Sequence, residues 1–172
     1  MARYDELRAL YRPDEVRVLL VAESPPDPGE GPLRFFYDST LVTGGDNLYR
    51  GVAEAVYGNE PAVDVNDKVA VLRCLQRDGF WLIDAVQHPI NKLKRPARRD
   101  AIRSAAPELV ARIQTLAPTR GVVICHGGVF DEVAPLLRAE GVHLLHDAML
   151  PFPMAGGRKP FIRGLRQALR PA

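Results

Sequence analysis

The sequence V-R-V-L-L-V-A-E-S-P-P, residues 16–26, decides how the rest of the chain is interpreted. Its apolar part, residues 16–22, runs into a proline-rich loop, a pattern typical of a strand that is buried on both faces. Glu23 and Ser24 follow where this strand ends. Because ligands bind just outside the carboxyl ends of the strands in open α/β sheets, both residues are candidates for chemistry. The alternative is that Glu23 is only a solvated loop carboxylate.

Predicted strands and helices alternate along the chain. The predicted strands are residues 16–22, 80–86, 121–125 and 142–145, and the predicted helices are residues 4–11, 46–56, 67–76, 98–116, 130–138 and 160–169. Such alternation favours an α/β protein with three layers, α/β/α, around a central four-stranded parallel sheet. Its strand ends would bring Glu23, Ser24, residues 84–88, His126 and the loop after His146 to one crevice.

Size and composition limit the kind of protein. A chain of 172 residues, 47% of them hydrophobic, predicts a single domain over residues 1–172. No apolar segment has the length of a signal peptide or a membrane span, so we expect a soluble, cytoplasmic protein without membrane contact. Cys74 and Cys125 are too few for a disulfide framework, a four-cysteine zinc site or an iron–sulfur cluster, and we interpret them as buried, reduced thiols.

Charge is distributed unevenly along the chain. Residues up to Gln87 include 9 basic and 15 acidic side chains, whereas the rest include 14 basic and 6 acidic ones, which gives about −6 and +8 by subtraction. The basic half is compatible with a surface that binds a polyanion. The alternative is that the two halves attract each other.

The order of the elements and their terminal motifs resembles the uracil-DNA glycosylase superfamily. Ala22-Glu23-Ser24-Pro25-Pro26 occupies the place of a motif such as G-E-A-P-G after the first strand. Residues 83–87 and the basic segment 91–96 occupy the place of the base-reading asparagine motif, and His126-Gly127 that of a third-strand glycine. Leu150-Pro151-Phe152-Pro153-Met154 is similar to the family's H-P-S-P-L motif.

Three positions depart from the family's pattern. Ser24 replaces a water-activating aspartate or asparagine, Asp84 replaces the base-reading asparagine, and Leu150 replaces a histidine. The glutamate is most similar to that of the iron–sulfur branch, but the cysteines of the cluster are absent. The resemblance therefore implies the fold together with an altered specificity.

The resemblance implies hydrolysis of the N-glycosidic bond of a base that is flipped out of DNA. Glu23 would orient water or stabilise the sugar cation, with Ser24 in a secondary role; an ion pair with a basic loop residue is the structural alternative for Glu23. Phe35 or Phe36 would stack on the base. At least one of the aromatic residues 35–37 should be free to line a cavity, although core packing is the alternative for each phenylalanine.

Asp84 is the most informative departure. An asparagine amide offers both a donor and an acceptor, whereas an ionised carboxylate only accepts. An ionised Asp84 thus favours a base edge with two adjacent donors, such as a guanine-like edge, or cytosine protonated at N3, over uracil. A protonated Asp84 would imitate asparagine. The structural alternative is a cap on the following turn.

Basic residues and one apolar residue are candidates for contact with DNA. Phosphate contacts are expected from a basic segment and from the last motif, with an ordinary solvated face as the alternative. Met154 would enter the duplex where the base has left, or else pack in its loop. The predicted DNA-binding residues are Lys92, Lys94, Arg95, Arg98, Arg99, Pro151, Pro153, Met154, Arg158 and Lys159.

The histidines at strand ends complete the predicted site. His88 and His126 are placed in the base pocket, where one of them could compensate for the histidine missing at Leu150. His143 and His146 form a poor metal signature, so no metal and no cofactor are expected. The sequence thus predicts a monomeric DNA glycosylase of altered specificity. The alternatives are a catalytically inactive nucleic-acid-binding protein of the same fold and a hydrolase of small nucleosides or nucleotides.

Overall fold

The structure, a computed structural model, describes residues 2–40 and 46–171. Its centre is a sheet of three parallel strands, β1 (Val18–Ala22), β2 (Phe80–Asp84) and β3 (Gly121–Ile124), in the order β2-β1-β3. All five residues of β1 are buried, as expected for a central strand with side chains on two covered faces. The α/β class and the parallel sheet are confirmed, whereas the three-layer arrangement stays a prediction.

Six helices surround this sheet in the described part of the chain: α1 (Ala2–Ala9), α2 (Asn47–Tyr57), α3 (Lys68–Arg77), α4 (Arg95–Leu116), α5 (Gly127–Ala139) and α6 (Arg158–Ala168). They lie where the sequence predicts helices, with shifted ends. Helix α4 begins earlier than predicted because Pro96 is well tolerated in a first turn. None of these helices is long and apolar enough to cross a bilayer.

The predicted fourth strand, residues 142–145, is not confirmed. It forms one parallel bridge, between Leu144 and Val122. The next outward amide of β3, that of Ile124, donates to Nε2 of His146 at 2.9 Å instead of to a backbone carbonyl. His146 also donates from Nδ1 to the carbonyl of Ala148 at 2.7 Å, so its neutral ring ends the ladder. Burial lowers the pKa of His146, which favours this neutral form.

The outer edge of β2 is covered by side chains. The Tyr37 hydroxyl accepts from the amide of Leu82 at 2.7 Å and donates to its carbonyl at 3.2 Å. Arg112 of α4 donates to the carbonyls of Asp84 and Ala85, each at 2.9 Å. These contacts satisfy backbone groups that an open edge would leave unpaired.

The strand order creates a point at which the chain changes direction. From β1 the chain crosses to β2 on one side, and from β2 it returns past β1 to β3 on the other. Ligands in open parallel sheets bind at such a reversal, outside the carboxyl ends of the strands. Glu23 directly follows β1, and His126 follows β3 after one residue, so both lie at this reversal.

Candidate active site

A cavity of about 410 Å³ opens at the carboxyl ends of the three strands, and we call it the Glu23 cavity. It is formed by strand ends, by the loop that carries the aromatic residues, and by the beginning of α2. Its lining residues are Ala22, Glu23, Ser24, Pro26, Arg34, Phe35, Phe36, Asp46, Asn47, Leu48, Leu82, Asp84, Asn91, Arg98, His126, Phe152 and Met154. The cavity therefore brings together both predicted catalytic residues and four of the five predicted base-binding residues.

Glu23 is fixed at both its backbone and its carboxylate. Its carbonyl accepts a hydrogen bond from the amide of Val86 at 2.9 Å, which extends the pairing of β1 and β2 by one step. The carboxylate, only 10% exposed, accepts two hydrogen bonds from Arg98 of α4, and the one from Nε to Oε1 measures 2.8 Å. Glu23 is thus not the solvated loop carboxylate of the alternative interpretation. It forms an ion pair, as in its other structural alternative, but the partner Arg98 belongs to helix α4 and not to a loop.

His126 is the second titratable group beside this carboxylate. It precedes α5, and its Nε2 lies 3.6 Å from Oε1 of Glu23, too far for a direct hydrogen bond. Its ring packs on that of Phe152, with centroids 5.6 Å apart, and its Nδ1 is buried without a hydrogen-bond partner in the described residues. Burial lowers the pKa of His126 although the nearby Glu23 carboxylate opposes this shift, so the ring is neutral at neutral pH.

Asp84, the last residue of β2, forms another part of the wall. Its side chain is 5% exposed, and Oδ2 accepts a hydrogen bond from a terminal nitrogen of Arg8 at 2.8 Å. Burial raises the pKa of Asp84 to about 6, although Arg8 and Arg112 favour the ionised form. The carboxylate is therefore ionised at neutral pH, and Arg8 of α1 is its charged partner.

All three aromatic residues of the loop 35–37 are buried, which agrees with core packing, the alternative interpretation of each phenylalanine. Phe35 and Phe36 are 2% and 5% exposed, and both line the Glu23 cavity, where the sequence left open which of the two faces the pocket. The loop has no regular secondary structure, so its side chains can turn in different directions and avoid the single face of a helix or strand. Each phenylalanine thus takes part in both the core and the cavity wall.

The other predicted pocket residues have different positions. Ser24 lines the cavity, and its Oγ accepts a long hydrogen bond from the amide of Ile90 at 3.4 Å. His88 is exposed and does not line the cavity. Leu150, where the family has a histidine, is 5% exposed and packs against Gly164 of α6. The imidazole ring beside Glu23 is that of His126.

The last motif is divided between the cavity and the core. Met154 is 60% exposed and lines the cavity, as a residue that enters DNA would have to. Pro153 is buried against Gly51 of α2, and Pro151 lines a separate cavity beside α6. The proline spacing therefore shapes the loop that presents Met154.

Most of the predicted phosphate-binding side chains have acidic partners. Lys92 lies 2.6 Å from Asp27, and Arg158 lies 2.6 Å from Glu54, as oxygen–nitrogen distances. Arg99 binds Glu132, and Arg98 binds Glu23. Three of these four pairs join a basic residue of the second half to an acidic residue of the first, so at these positions the halves attract each other.

Three of the predicted DNA-binding cations have no acidic partner in the described part of the chain. These exposed residues are Lys94, Arg95 and Lys159. The cationic surface available to a polyanion is thus smaller than the sequence indicates.

Sequence reasoning missed other residues of the cavity. Arg34 is exposed at its wall and has no ion pair within the described ranges, and Phe152 packs on His126. Asn47 and Asn91 also line the cavity. An aromatic residue between two prolines was a usable signal for Phe152. Arg34 gave no such signal because nothing in its local spacing shows which way it points.

Of the two cysteines, Cys125 is buried as predicted, whereas Cys74 is half-buried, and neither forms a disulfide. Within residues 2–40 and 46–171, no group of three histidine, cysteine, aspartate or glutamate side chains could hold a metal ion. Comparisons of the chain with protein-family models, with curated proteins and with solved structures found no match.

Proposed function

We propose that the protein is a DNA N-glycosylase that hydrolyses the bond between deoxyribose and a damaged or deaminated base in the Glu23 cavity. The observation that carries this proposal is the Glu23 carboxylate, which is 10% exposed and oriented by Arg98 in a cavity with aromatic walls. The volume of about 410 Å³ is that of a small-ligand site, which suits one flipped base. The resemblance to the uracil-DNA glycosylase superfamily supports the same reaction.

In the proposed reaction, the oxygen of a water molecule bonds to C1′ of the sugar while the bond from C1′ to the base nitrogen breaks. The attacking water loses a proton to solvent, and the base leaves with the electron pair of the broken bond and takes up a proton from solvent. Positive charge develops on the sugar, and the Glu23 carboxylate stabilises it. Each carboxylate oxygen has two lone pairs, so Oε1 can accept from both Arg98 and the attacking water.

Arg98 and His126 are the proposed positioning residues. The guanidinium holds the carboxylate plane through two hydrogen bonds, which fixes the direction in which the remaining lone pairs point. His126 Nε2 lies 3.6 Å from Glu23 Oε1. At this distance the neutral ring would be near the attacking water, but it forms no hydrogen bond that would occupy a lone pair of the carboxylate. Phe35 and Phe36 would form the stacking surface for the base.

A second candidate function rests on the same ion pair. Because Arg98 neutralises Glu23, a binding protein of this fold without catalysis would also keep the two residues together. Such a protein would use Lys94, Arg95 and Lys159 to hold nucleic acid.

A cleavage assay distinguishes the two functions. Single- and double-stranded oligonucleotides carrying uracil, hypoxanthine, xanthine or a mismatch are incubated with wild type, with Glu23→Gln and with Glu140→Gln, a matched change at an exposed position. The proposal expects abasic sites from wild type and Glu140→Gln and far fewer from Glu23→Gln. Salt-dependent binding without cleavage of any substrate would favour the binding protein instead.

A further inference from the structure

Asp84 separates two cavities. It lines the Glu23 cavity and also a second cavity of about 390 Å³, which lies beside α1 and α4 and which we call the Arg8 cavity. Arg8 lines only the second of these, so it reaches the carboxylate from the Arg8 cavity and not from the Glu23 cavity. Asp84 therefore borders the cavity proposed for the base, while Arg8 binds its carboxylate from the second cavity.

Arg8 is held in this position by several contacts. One terminal nitrogen donates to Oδ2 of Asp84 at 2.8 Å, and the other donates to Oδ1 of Asp5 at 3.0 Å. The guanidinium carbon also lies 5.5 Å from the ring centroid of Phe35, which itself lines the Glu23 cavity. The Arg8 side chain is 17% exposed, so water competes little for these contacts.

The two oxygens of Asp84 differ as a result. Oδ2 is engaged by Arg8, whereas Oδ1 has no hydrogen-bond donor among the described residues. We propose that Arg8 is a specificity-determining residue: it keeps Asp84 as a pure acceptor, so the cavity selects a base edge that donates, such as an exocyclic amino group, over the carbonyl of uracil. This inference rests on the proposed function and names its substrate class.

The charged groups around Asp84 set the pH at which this selection operates. Arg8 of α1 and Arg112 of α4 favour the ionised form, whereas burial and the carboxylate of Glu23 oppose it. The pKa of Asp84 at about 6 leaves it ionised at pH 7.5. Below that value it gains a proton and can donate, so the preference for amino groups should weaken toward pH 5.

The test uses two oligonucleotides that differ in one base, at the group on position 4 and in the hydrogen on N3. One carries 5-hydroxycytosine, with an amino group, and the other 5-hydroxyuracil, with a carbonyl. The ratio of their kcat/KM values is measured on a single preparation, so a partly unfolded sample affects both substrates equally. For wild type at pH 7.5 we expect about a tenfold preference for the amino base, the scale of one mismatched polar contact.

Variants at three positions assign this preference to Arg8. Arg8→Gln should reduce the ratio to about one, and Arg8→Lys should restore part of it. Arg12→Gln is the matched control, because Arg12 lines the Arg8 cavity without contacting Asp84, and its ratio should equal that of wild type. If Arg8→Gln does not fold, Asp84→Asn must shift the ratio toward the carbonyl base.

The inference and the proposed function can fail separately. A wild-type preference for 5-hydroxyuracil, or a ratio that Arg8→Gln leaves unchanged, overturns the inference while glycosylase activity stands. If neither base is cleaved and the uracil, hypoxanthine, xanthine and mismatch oligonucleotides are not cleaved either, the proposed function fails. The inference is then decided by the binding of both oligonucleotides to wild type, and equal affinities overturn it.

Discussion

Replacing Asp84 by asparagine should stabilise the protein at neutral pH. Burial raises the pKa of Asp84 from 3.8 to about 6 in spite of Arg8, so the folded protein favours the neutral carboxyl. A raised pKa means that this stability is fully present below the unfolded value and is lost as the pH rises through the folded value. Asparagine keeps the shape of the neutral form at every pH.

The magnitude follows from the difference between the two pKa values. About two pKa units correspond to about 3 kcal/mol of unfolding free energy at pH 7.5. The same relation leaves a difference of about 1 kcal/mol at pH 4.5, where the unfolded carboxyl is still mostly ionised. Urea denaturation of wild type and Asp84→Asn at pH 4.5, 6.0 and 7.5 measures this change directly.

Asp78 provides a control of opposite sign. Burial alone would raise the pKa of Asp78, but hydrogen bonds from Arg77 and from the Tyr57 hydroxyl, the latter at 2.6 Å, lower it overall. Asp78→Asn should therefore destabilise the protein at pH 7.5 and nearly as much at pH 4.5, because this contribution is lost only as the pH falls below the ordinary value of 3.8. A loss of stability in Asp84→Asn that grows from pH 4.5 to pH 7.5 would refute the reasoning, because it would mean that the Arg8 ion pair outweighs burial.

Two further predictions concern the sheet edge and the cationic surface. His146→Ala should cost about 1–2 kcal/mol and accelerate hydrogen exchange at the amide of Ile124, which loses its acceptor; wild-type exchange in the variant would contradict this. The logarithm of the binding constant for duplex DNA falls with the logarithm of the salt concentration, and the double variant Lys94→Ala/Arg95→Ala should reduce the steepness of this fall by roughly 1.8. Lys92→Ala, which removes a partner of Asp27, should reduce it less. Equal slopes for all three proteins would exclude these phosphate contacts.

Much of the fold can be predicted from the sequence because its signals are local. The apolar runs that become β1, β2 and β3 each identify a buried strand without reference to any other segment. The positions of Glu23 and Asp84 at strand ends then follow, since parallel strands end at a common edge. Asp46 is the first residue of the predicted helix 46–56, and it caps α2 because its Oδ1 accepts from the amide of Tyr49 at 3.0 Å.

The partners of the site residues could not be predicted, because they come from distant segments. Arg98 lies in a basic segment that indicates phosphate binding, yet it pairs with Glu23, 75 positions away. Arg8 pairs with Asp84, 76 positions away, and no spacing in the sequence indicates that contact. Only the packing of helices against the sheet brings these charges together.

The prediction of a fourth strand was not confirmed for a different reason. Residues 142–145 have the composition of a strand, and Val122 accepts from the amide of Leu145 at 2.9 Å as a strand partner would. The next backbone donor of β3, the amide of Ile124, binds the ring of His146 instead of a carbonyl of this segment, so a side chain competes with the backbone for the hydrogen bond. Periodicity does not report such competition.

The most direct test of the proposed chemistry is the single-turnover rate of abasic-site formation, measured with the best-cleaved oligonucleotide for wild type, Glu23→Gln and Glu140→Gln. Loss of a charge-stabilising group of this kind costs about 10²- to 10³-fold in rate. We predict a loss of this size for Glu23→Gln, with binding of the oligonucleotide retained and with Glu140→Gln at the wild-type rate. Equal rates for wild type and Glu23→Gln would contradict the assignment of the Glu23 cavity as a glycosylase site.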